Sequence, residues 1–214
     1  MFENIIKNVH NRHPLIHCIT NYVSINDCAN IVLACGGAPI MAEDINEVSQ
    51  ITSICQGLDI NIGMLNDNKL SSMLKAGATA NELGIPVILD PVGAGSSDYR
   101  IKAVQNLMSN VQFGVIRGNV SEIKAIAAKQ GIHNIAAGVY DTMQKNKSAM
   151  GVEAGIADKI TDDNIKEMAD FINKLSQKTG AVIAVTGGID MVADENRVYA
   201  IRNGHKMMSL VTGA

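Results

Sequence analysis

The sequence predicts an α/β protein with a mostly parallel sheet, helices on both faces and an antiparallel C-terminal edge. Apolar runs typical of strands alternate with segments of helical spacing along most of the chain. The runs "PVILD" and "AVIAV" are almost wholly apolar, as in strands buried on both faces of a sheet. Near the C-terminus "DMVAD", "RVYAIRNG" and "HKMMSLV" follow one another without helical segments, which indicates antiparallel strands.

The other elements are predicted in order along the chain. Strands are expected at "PLIHCIT", "APIM", "LDINIG", "PVILD", "FGVIRG" and "AVIAVTG". Helices are expected at "NDCANIVLAC", "NEVSQITSIC", "DNKLSSMLKAGATANELG", "DYRIKAVQNLMS", "VSEIKAIAAKQ" and "DDNIKEMADFINKLSQKTG", several of which end at glycine. Asn46 and Thr161 are the expected N-caps of the second and last helices. Residues 131–157 receive no assignment, and residues 1–214 are expected to form one domain.

Composition excludes several classes of partner. The chain has 214 residues, a net charge of −3, 3% aromatic residues and no Trp, which argues against a nucleic-acid-binding protein. Its apolar runs are shorter than the roughly 20 residues of a membrane span, and its first residues lack the apolar core of a signal peptide. We therefore expect neither nucleic acid nor membrane as a partner, and a cytoplasmic location.

The cysteine and histidine spacing favours free thiols over a metal centre. Four cysteines lie within the first 55 residues of the chain without a C-x-x-C pair, which is typical of reduced thiols. His10, His13, His17 and Cys18 suggest a zinc hypothesis. However, Pro14 separates His13 from His17, so these two are not expected to share a helical face.

Polar and glycine-rich segments follow five of the predicted strands directly. They are "MAED", "GMLND", "DPVGAG", "RGNVSE" and "TGGID". In an open α/β sheet, ligands bind beyond the carboxyl ends of the strands. The sequence therefore predicts a cleft lined by Gly, Asn and carboxylate side chains at this edge.

The segment "ILDPVGAGSSD" has two interpretations. Asp90 ends a strand, and Gly93 and Gly95 would allow backbone N–H groups to approach a ligand, so the turn suits phosphate or a metal. Alternatively, it is a tight connection into a helix capped by Ser96 or Ser97. Dinucleotide binding is disfavoured because the third glycine of that fingerprint is missing, and the chain has no P-loop motif.

The segment "VIRGNVSE" also has two interpretations. Arg117 follows a strand and could pair with phosphate oxygens. Asn119 and Glu122 have the spacing of a capping box, the commoner use of this pattern. Glu122 could instead hold water on a magnesium ion, which takes few carboxylates and keeps several waters.

Three further positions are candidates. Thr186, in "AVTGGID", offers a hydroxyl beside backbone amides for phosphate, or else only a turn into the antiparallel tail. Asn21 is either a helix N-cap or a ligand contact. Met41 is expected to be a core residue unless its backbone contacts a ligand.

Seven segments in this order resemble the hydroxyethylthiazole kinases of thiamine salvage. They are "PLIHCITNYV", "GGAPIMAED", "NIGMLN", "GIPVILDPVGAG", "IRGNVSEI", "AVTGGIDMVAD" and "NGHKMMSLVTGA". The resemblance implies a ribokinase-like three-layer sandwich and transfer of the ATP γ-phosphoryl group to 4-methyl-5-(2-hydroxyethyl)thiazole. It also implies ATP and Mg²⁺ as cofactors and a homotrimer with the thiazole bound between subunits.

The resemblance carries roles to individual positions. Asn21, Met41 through its backbone, and Gly213 are similar to thiazole contacts. Arg117 and Thr186 are similar to contacts with the ATP phosphates. Asp90 and Glu122 are similar to the carboxylates on the magnesium side.

The end of the chain bears on activity. In the resembled family a Gly-Cys segment and further helices follow "TGA", and that cysteine is the proposed catalytic group, whereas this sequence ends at Ala214. We therefore expect a domain that is C-terminally incomplete relative to the family, without a catalytic residue of its own. The alternatives are a non-catalytic thiazole- or nucleotide-binding relative and another ribokinase-like small-molecule enzyme.

Overall fold

The structure, a computed structural model, describes residues 2–129 and 159–204. The strands are β1 (Leu15–Ile19), β2 (Ala38–Ile40), β3 (Gly57–Asn61), β4 (Val87–Asp90), β5 (Val115–Asn119), β6 (Val182–Thr186), β7 (Asp190–Ala193) and β8 (Val198–Ile201). The helices are α1 (Phe2–Arg12), α2 (Ile25–Ala34), α3 (Val48–Ser53), α4 (Asp67–Glu82), α5 (Asp98–Asn110), α6 (Val120–Lys129) and α7 (Ile165–Thr179).

The strands form one sheet in the order β2-β1-β3-β4-β5-β6-β7-β8. Strands β1 to β6 run parallel to one another, and β7 and β8 are added antiparallel. The predicted fold class, a mostly parallel sheet with an antiparallel edge, is confirmed. Because the parallel strands all end at the same edge, the polar segments that follow them lie together there.

One face of the sheet holds the hydrophobic core. Side chains alternate between the two faces of a strand, and on this face Ile60, Leu89, Ile116 and Ile183 are fully buried. They pack in one cluster with apolar residues of α4 to α7, such as Phe171. The opposite face of the same strands carries the polar side chains, so the alternation itself directs them away from the core.

Two predicted helix caps were wrong. Helix α7 begins after Asn164, whose side chain accepts a hydrogen bond from the Thr161 N–H at 2.8 Å, so Thr161 is a donor in that turn. Helix α3 begins after Glu47, and the Asn46 N–H donates to Asp44 Oδ1 at 2.8 Å. In both places the chain makes an extra polar turn before the helix, and a neighbouring side chain stabilises that turn.

Three expectations concern residues outside the described ranges: the strand at 207–211, the unassigned segment 131–157 and the candidate Gly213. Within the described part of the chain, no helix has the length and apolar character needed to cross a membrane.

Candidate active site

A row of polar side chains crosses three neighbouring strands at the carboxyl edge of the sheet. Asn61 at the end of β3 is paired in register with Asp90 at the end of β4. Arg117 of β5 lies beside Asp90, with 3.2 Å between Arg117 Nη1 and Asp90 Oδ2. The sequence-predicted carboxylate and cation therefore form an ion pair, and an amide that was not predicted lies on the other side of the carboxylate.

The surroundings of Asp90 have opposing effects on the pKa of its carboxyl group. Burial raises the pKa of its carboxyl group, while the charge of Arg117 and hydrogen bonds from Arg117 and Asn61 act to lower it. The Arg117 side chain remains 46% exposed. A guanidinium that is anchored on one side and open to solvent on the other has donors left for an added anion.

Glu122 lies close to this pair and holds two backbone segments. Its Oε2 accepts the Asn119 N–H at 2.8 Å, and Asn119 Oδ1 accepts the Glu122 N–H at 3.0 Å, so the capping-box interpretation is confirmed. Its Oε1 accepts the Gly93 N–H at 2.8 Å. Burial is the main cause that raises the pKa of Glu122, and the negative charge of Asp90 adds to it. The two carboxylates are thus near enough to repel each other.

The glycine-rich turn after β4 confirms the capped-connection interpretation, and its role towards a ligand stays a prediction. Gly93 has φ +66°, a left-handed conformation that favours glycine. Ser97 caps α5, because its Oγ accepts the Arg100 N–H at 3.2 Å. The turn is therefore a capped connection that also turns a backbone N–H towards Glu122.

Thr186 ends β6 beside this group. It is paired in register with Asn119, and its Oγ1 lies 3.5 Å from the Gly118 carbonyl oxygen, a long hydrogen bond. The next backbone N–H, that of Gly187, donates to Asp190 Oδ1 at 2.8 Å. The hydroxyl is thus weakly held, whereas the first of the expected amides is already used within the turn.

Asn21 follows β1 and joins the polar row from the other side. Its Nδ2 donates to Asn61 Oδ1 at 3.2 Å, and its Oδ1 accepts the Ser24 N–H at 3.0 Å. Asn21 thus stabilises the turn that leads into α2. Met41 follows β2 directly, and its side chain is partly exposed.

A buried lysine that the sequence did not single out connects the loops after β1 and β2. Lys69, in the first turn of α4, is 3% exposed. Its Nζ donates to the Thr20 carbonyl and forms an ion pair with Glu43 at 2.9 Å, and it lies 4.5 Å from the centre of the Tyr22 ring. These contacts fix the loops that carry Asn21 and Met41.

Three other residues of this region were missed by sequence reasoning. They are Asp59 and Asn61 in β3 and Arg100 in α5. An acidic residue inside the apolar strand "LDINIG" was a visible signal for Asp59. Nothing local marks Arg100, whose partners are backbone carbonyls 8 to 38 residues away.

Of the histidine-rich segment, His17 serves packing. His17 is fully buried, and its Nε2 lies 2.8 Å from the Ala42 carbonyl oxygen, to which it must donate. Its Nδ1 then accepts the Thr52 hydroxyl at 2.9 Å, and burial lowers the pKa of the ring. Burial also raises the pKa of the Cys18 thiol to about 12, so this sulfur is an unreactive thiol at neutral pH.

The arrangement combines two mutually repelling carboxylates, an exposed guanidinium and a weakly held hydroxyl. Mg²⁺ takes one or two carboxylates together with water and phosphate oxygens, and the pair Asp90 and Glu122 fits that donor set. Within residues 2–129 and 159–204, no three His, Cys, Asp or Glu side chains come together as a metal site. A metal here would therefore need oxygens from a ligand, and such a site suits a polyphosphate.

Comparisons with known sequences identify the family. Residues 6–214 match the Hydroxyethylthiazole kinase family. Over 213 residues the chain is 52% identical to a hydroxyethylthiazole kinase of Clostridium acetobutylicum, covering 100% of this chain and 72% of that protein. It is 44% identical to a hydroxyethylthiazole kinase of Desulfovibrio desulfuricans, covering 100% of this chain and 70% of that protein.

Similar solved structures include one of the same family and one that shares only the fold. A hydroxyethylthiazole kinase protein from Pyrococcus horikoshii superposes with a TM-score of 0.80 at 32% identity, covering 99% of this chain and 70% of the other. An adenosine kinase from Schistosoma mansoni superposes with a TM-score of 0.50 at 11% identity, covering 95% of this chain and 65% of the other, a likeness of fold alone. The match in sequence and structure runs through every strand of the polar row, and the chain belongs to the hydroxyethylthiazole kinase family.

Proposed function

We propose that this chain transfers the γ-phosphoryl group of ATP to the hydroxyethyl group of 4-methyl-5-(2-hydroxyethyl)thiazole, a step of thiamine salvage. The observation that carries the proposal is the grouping of Asp90, Arg117 and Glu122 at the carboxyl edge of a parallel sheet. Phosphoryl transfer depends mainly on positioning and on stabilising negative charge. This group offers a cation and two acids at the edge where such folds bind ligands.

The residues divide into a phosphate side and an alcohol side. Arg117 and Thr186 would hold the ATP phosphates, and the exposed guanidinium supports this role. Asp90 and Glu122 would hold Mg²⁺, which supplies positive charge to the phosphates when bound. Asn21, the Met41 backbone and Gly213 would contact the thiazole.

The chain is further proposed to form a homotrimer with the alcohol site between subunits. Helix α2 supports an association surface, because it is apolar and has no buried residue. Ile31 is 61% exposed and Leu33 is 56% exposed on this helix. The nearby Tyr22 and Val23 are also exposed, so the apolar surface extends to the loop that carries Asn21.

We also propose a cytoplasmic setting, which the free thiols of Cys18, Cys28, Cys35 and Cys55 support.

The test measures ATP-dependent phosphorylation of the thiazole alcohol. It is run on the 214-residue chain and on a version extended at its C-terminus with the Gly-Cys segment and last helices that the resemblance implies. A panel of other small alcohols tests whether the chain is instead another ribokinase-like enzyme with a different substrate. Turnover of the thiazole alcohol by either protein supports the proposal, and its absence in both contradicts it. Calorimetry then shows whether the chain is a non-catalytic binding relative.

A matched pair of arginine variants tests the site within that assay. Arg117→Met is expected to lower kcat/KM on the order of 10²-fold or more, because a cation on the transferring phosphate is lost. Arg197→Met is the control, because its side chain is 70% exposed on the β7–β8 hairpin and, among the described residues, its only ion pair is a 4.0 Å contact with Asp194. Equal losses of kcat/KM in both variants would show that Arg117 is not part of the site.

A further inference from the structure

Arg100 lies behind the candidate site and donates to three backbone carbonyl groups of two different loops. Its Nη1 donates to Ile62 at 2.6 Å and to Val92 at 2.7 Å, and its Nη2 donates to Gly63 at 2.8 Å. We propose that Arg100 is a positioning residue that orients the peptide groups behind Asn61 and Glu122, and so sets the geometry of the phosphate side. The proposal rests on the proposed function for what that geometry binds.

The first peptide group joins Val92 to Gly93. Arg100 binds its carbonyl oxygen, and the N–H of the same planar unit donates to Glu122 Oε1 at 2.8 Å. Gly93 has φ +66°, so this peptide orientation depends on a backbone conformation that few other residues adopt. Arg100 therefore fixes the plane of the group that holds one oxygen of Glu122.

The second peptide group joins Ile62 to Gly63 and repeats the arrangement. Arg100 binds its carbonyl oxygen, and its N–H donates to Asn61 Oδ1 at 2.8 Å. The same oxygen of Asn61 accepts from Asn21, and the Asn61 side chain also hydrogen-bonds Asp90. One guanidinium thus supports both a candidate metal-side acid and the amide that links the alcohol side to the phosphate side.

The placement of this charge argues against a role in helix stability. Arg100 lies in the first turn of α5, where the helix dipole disfavours a cation. Among the described residues, no carboxylate lies within ion-pair distance of it. Its partners are the carbonyl groups of the two loops, and a planar fork can bridge both loops in a way that a lysine ammonium does not reproduce.

The experiment compares Arg100→Met and Arg100→Lys with Lys102→Met, which removes the same charge from an exposed position of the same helix. Calorimetry measures the affinity for Mg·ATP, and hydrogen exchange followed by mass spectrometry measures amide protection at residues 61–64 and 91–95. Loss of groups that orient metal ligands usually costs about 10- to 100-fold in affinity or activity. We expect a loss of that size with faster exchange in both loops for Arg100→Met, a smaller loss for Arg100→Lys, and no change for Lys102→Met.

The outcomes separate the two proposals. If the wild-type chain and its extended version do not phosphorylate the thiazole alcohol, the proposed function is wrong, while loop exchange and Mg·ATP affinity still decide the role of Arg100. If Arg100→Lys and Arg100→Met match Lys102→Met in both measurements, the inference about Arg100 is wrong. Faster exchange throughout the chain, instead of in these two loops, would show that Arg100 stabilises the whole fold. That result would also overturn the inference.

Discussion

Asp59 lies in the middle of β3, on the face of the sheet that carries Asn61 and Asp90. Burial raises the pKa of its carboxyl group from 3.8 to about 6, and the charge of Asp90 adds to this, while Arg117 opposes it. The charged form of Asp59 is therefore disfavoured in the folded protein relative to the unfolded chain. This acid weakens the fold at neutral pH but not at acidic pH.

Asp59→Asn is expected to stabilise the protein at pH 7 and to have little effect near pH 4. Between about pH 4 and 6 the folded state binds more protons than the unfolded state, so the free energy of unfolding falls as pH rises. The shift corresponds to on the order of 1 to 3 kcal/mol at pH 7. Urea unfolding at several pH values measures it, with Asp170→Asn on the exposed side of α7 as the control. A wild-type-like pH dependence in Asp59→Asn would contradict the prediction.

At the scale of elements, α4 approaches the loop after α5 closely at one glycine. A Cβ atom added at Gly77 would lie 2.5 Å from Val111 Cγ2 and 2.8 Å from Val111 Cγ1. Both residues are buried, so neither can move into solvent. The close packing thus leaves no room for a Cβ atom at Gly77, although glycine inside a helix costs about 0.5 to 1 kcal/mol relative to alanine.

Gly77→Ala is expected to lower the free energy of unfolding by about 1 to 3 kcal/mol, because overpacking outweighs the gain in helix propensity. Val111→Ala removes the two methyl groups that the new Cβ would meet. Adding it to Gly77→Ala should therefore recover part of the loss, and denaturant unfolding of the two single variants and the double variant measures this coupling. Strict additivity would show that the contact with Val111 is not the cause.

At the scale of the whole molecule, the apolar surface of α2 gives the proposed homotrimer a direct test. The double substitution Ile31→Glu and Leu33→Glu places charges on exposed positions, so the chain should still fold but should no longer associate. Sedimentation or light scattering should give about three times the chain mass of 22.8 kDa for the wild type and a single chain mass for the variant. Leu83→Glu is the control, because Leu83 is 55% exposed at the end of α4. Dissociation by both, or by neither, would contradict the proposed surface.

Much of the candidate site was predictable because its residues lie within the last residues of the predicted strands. Asp90 and Arg117 each come at the end of an apolar run, and parallel strands bring such positions to one edge. The capping pair Asn119 and Glu122 follows from local spacing alone. Gly213 lies outside the described residues, and its role stays a prediction.

The sequence by itself determined the order of strands and helices from β1 onwards, the mostly parallel sheet and the edge where polar loops gather, whereas helix α1 (Phe2–Arg12) was not predicted. Hydrophobic periodicity and turn residues act over a few positions, so they can be read directly. Only the tertiary structure decided that Arg100 supports two loops and that Lys69 is buried beside Glu43. Their partners are backbone carbonyls and side chains that become neighbours only when the sheet has assembled, and no local pattern encodes that proximity.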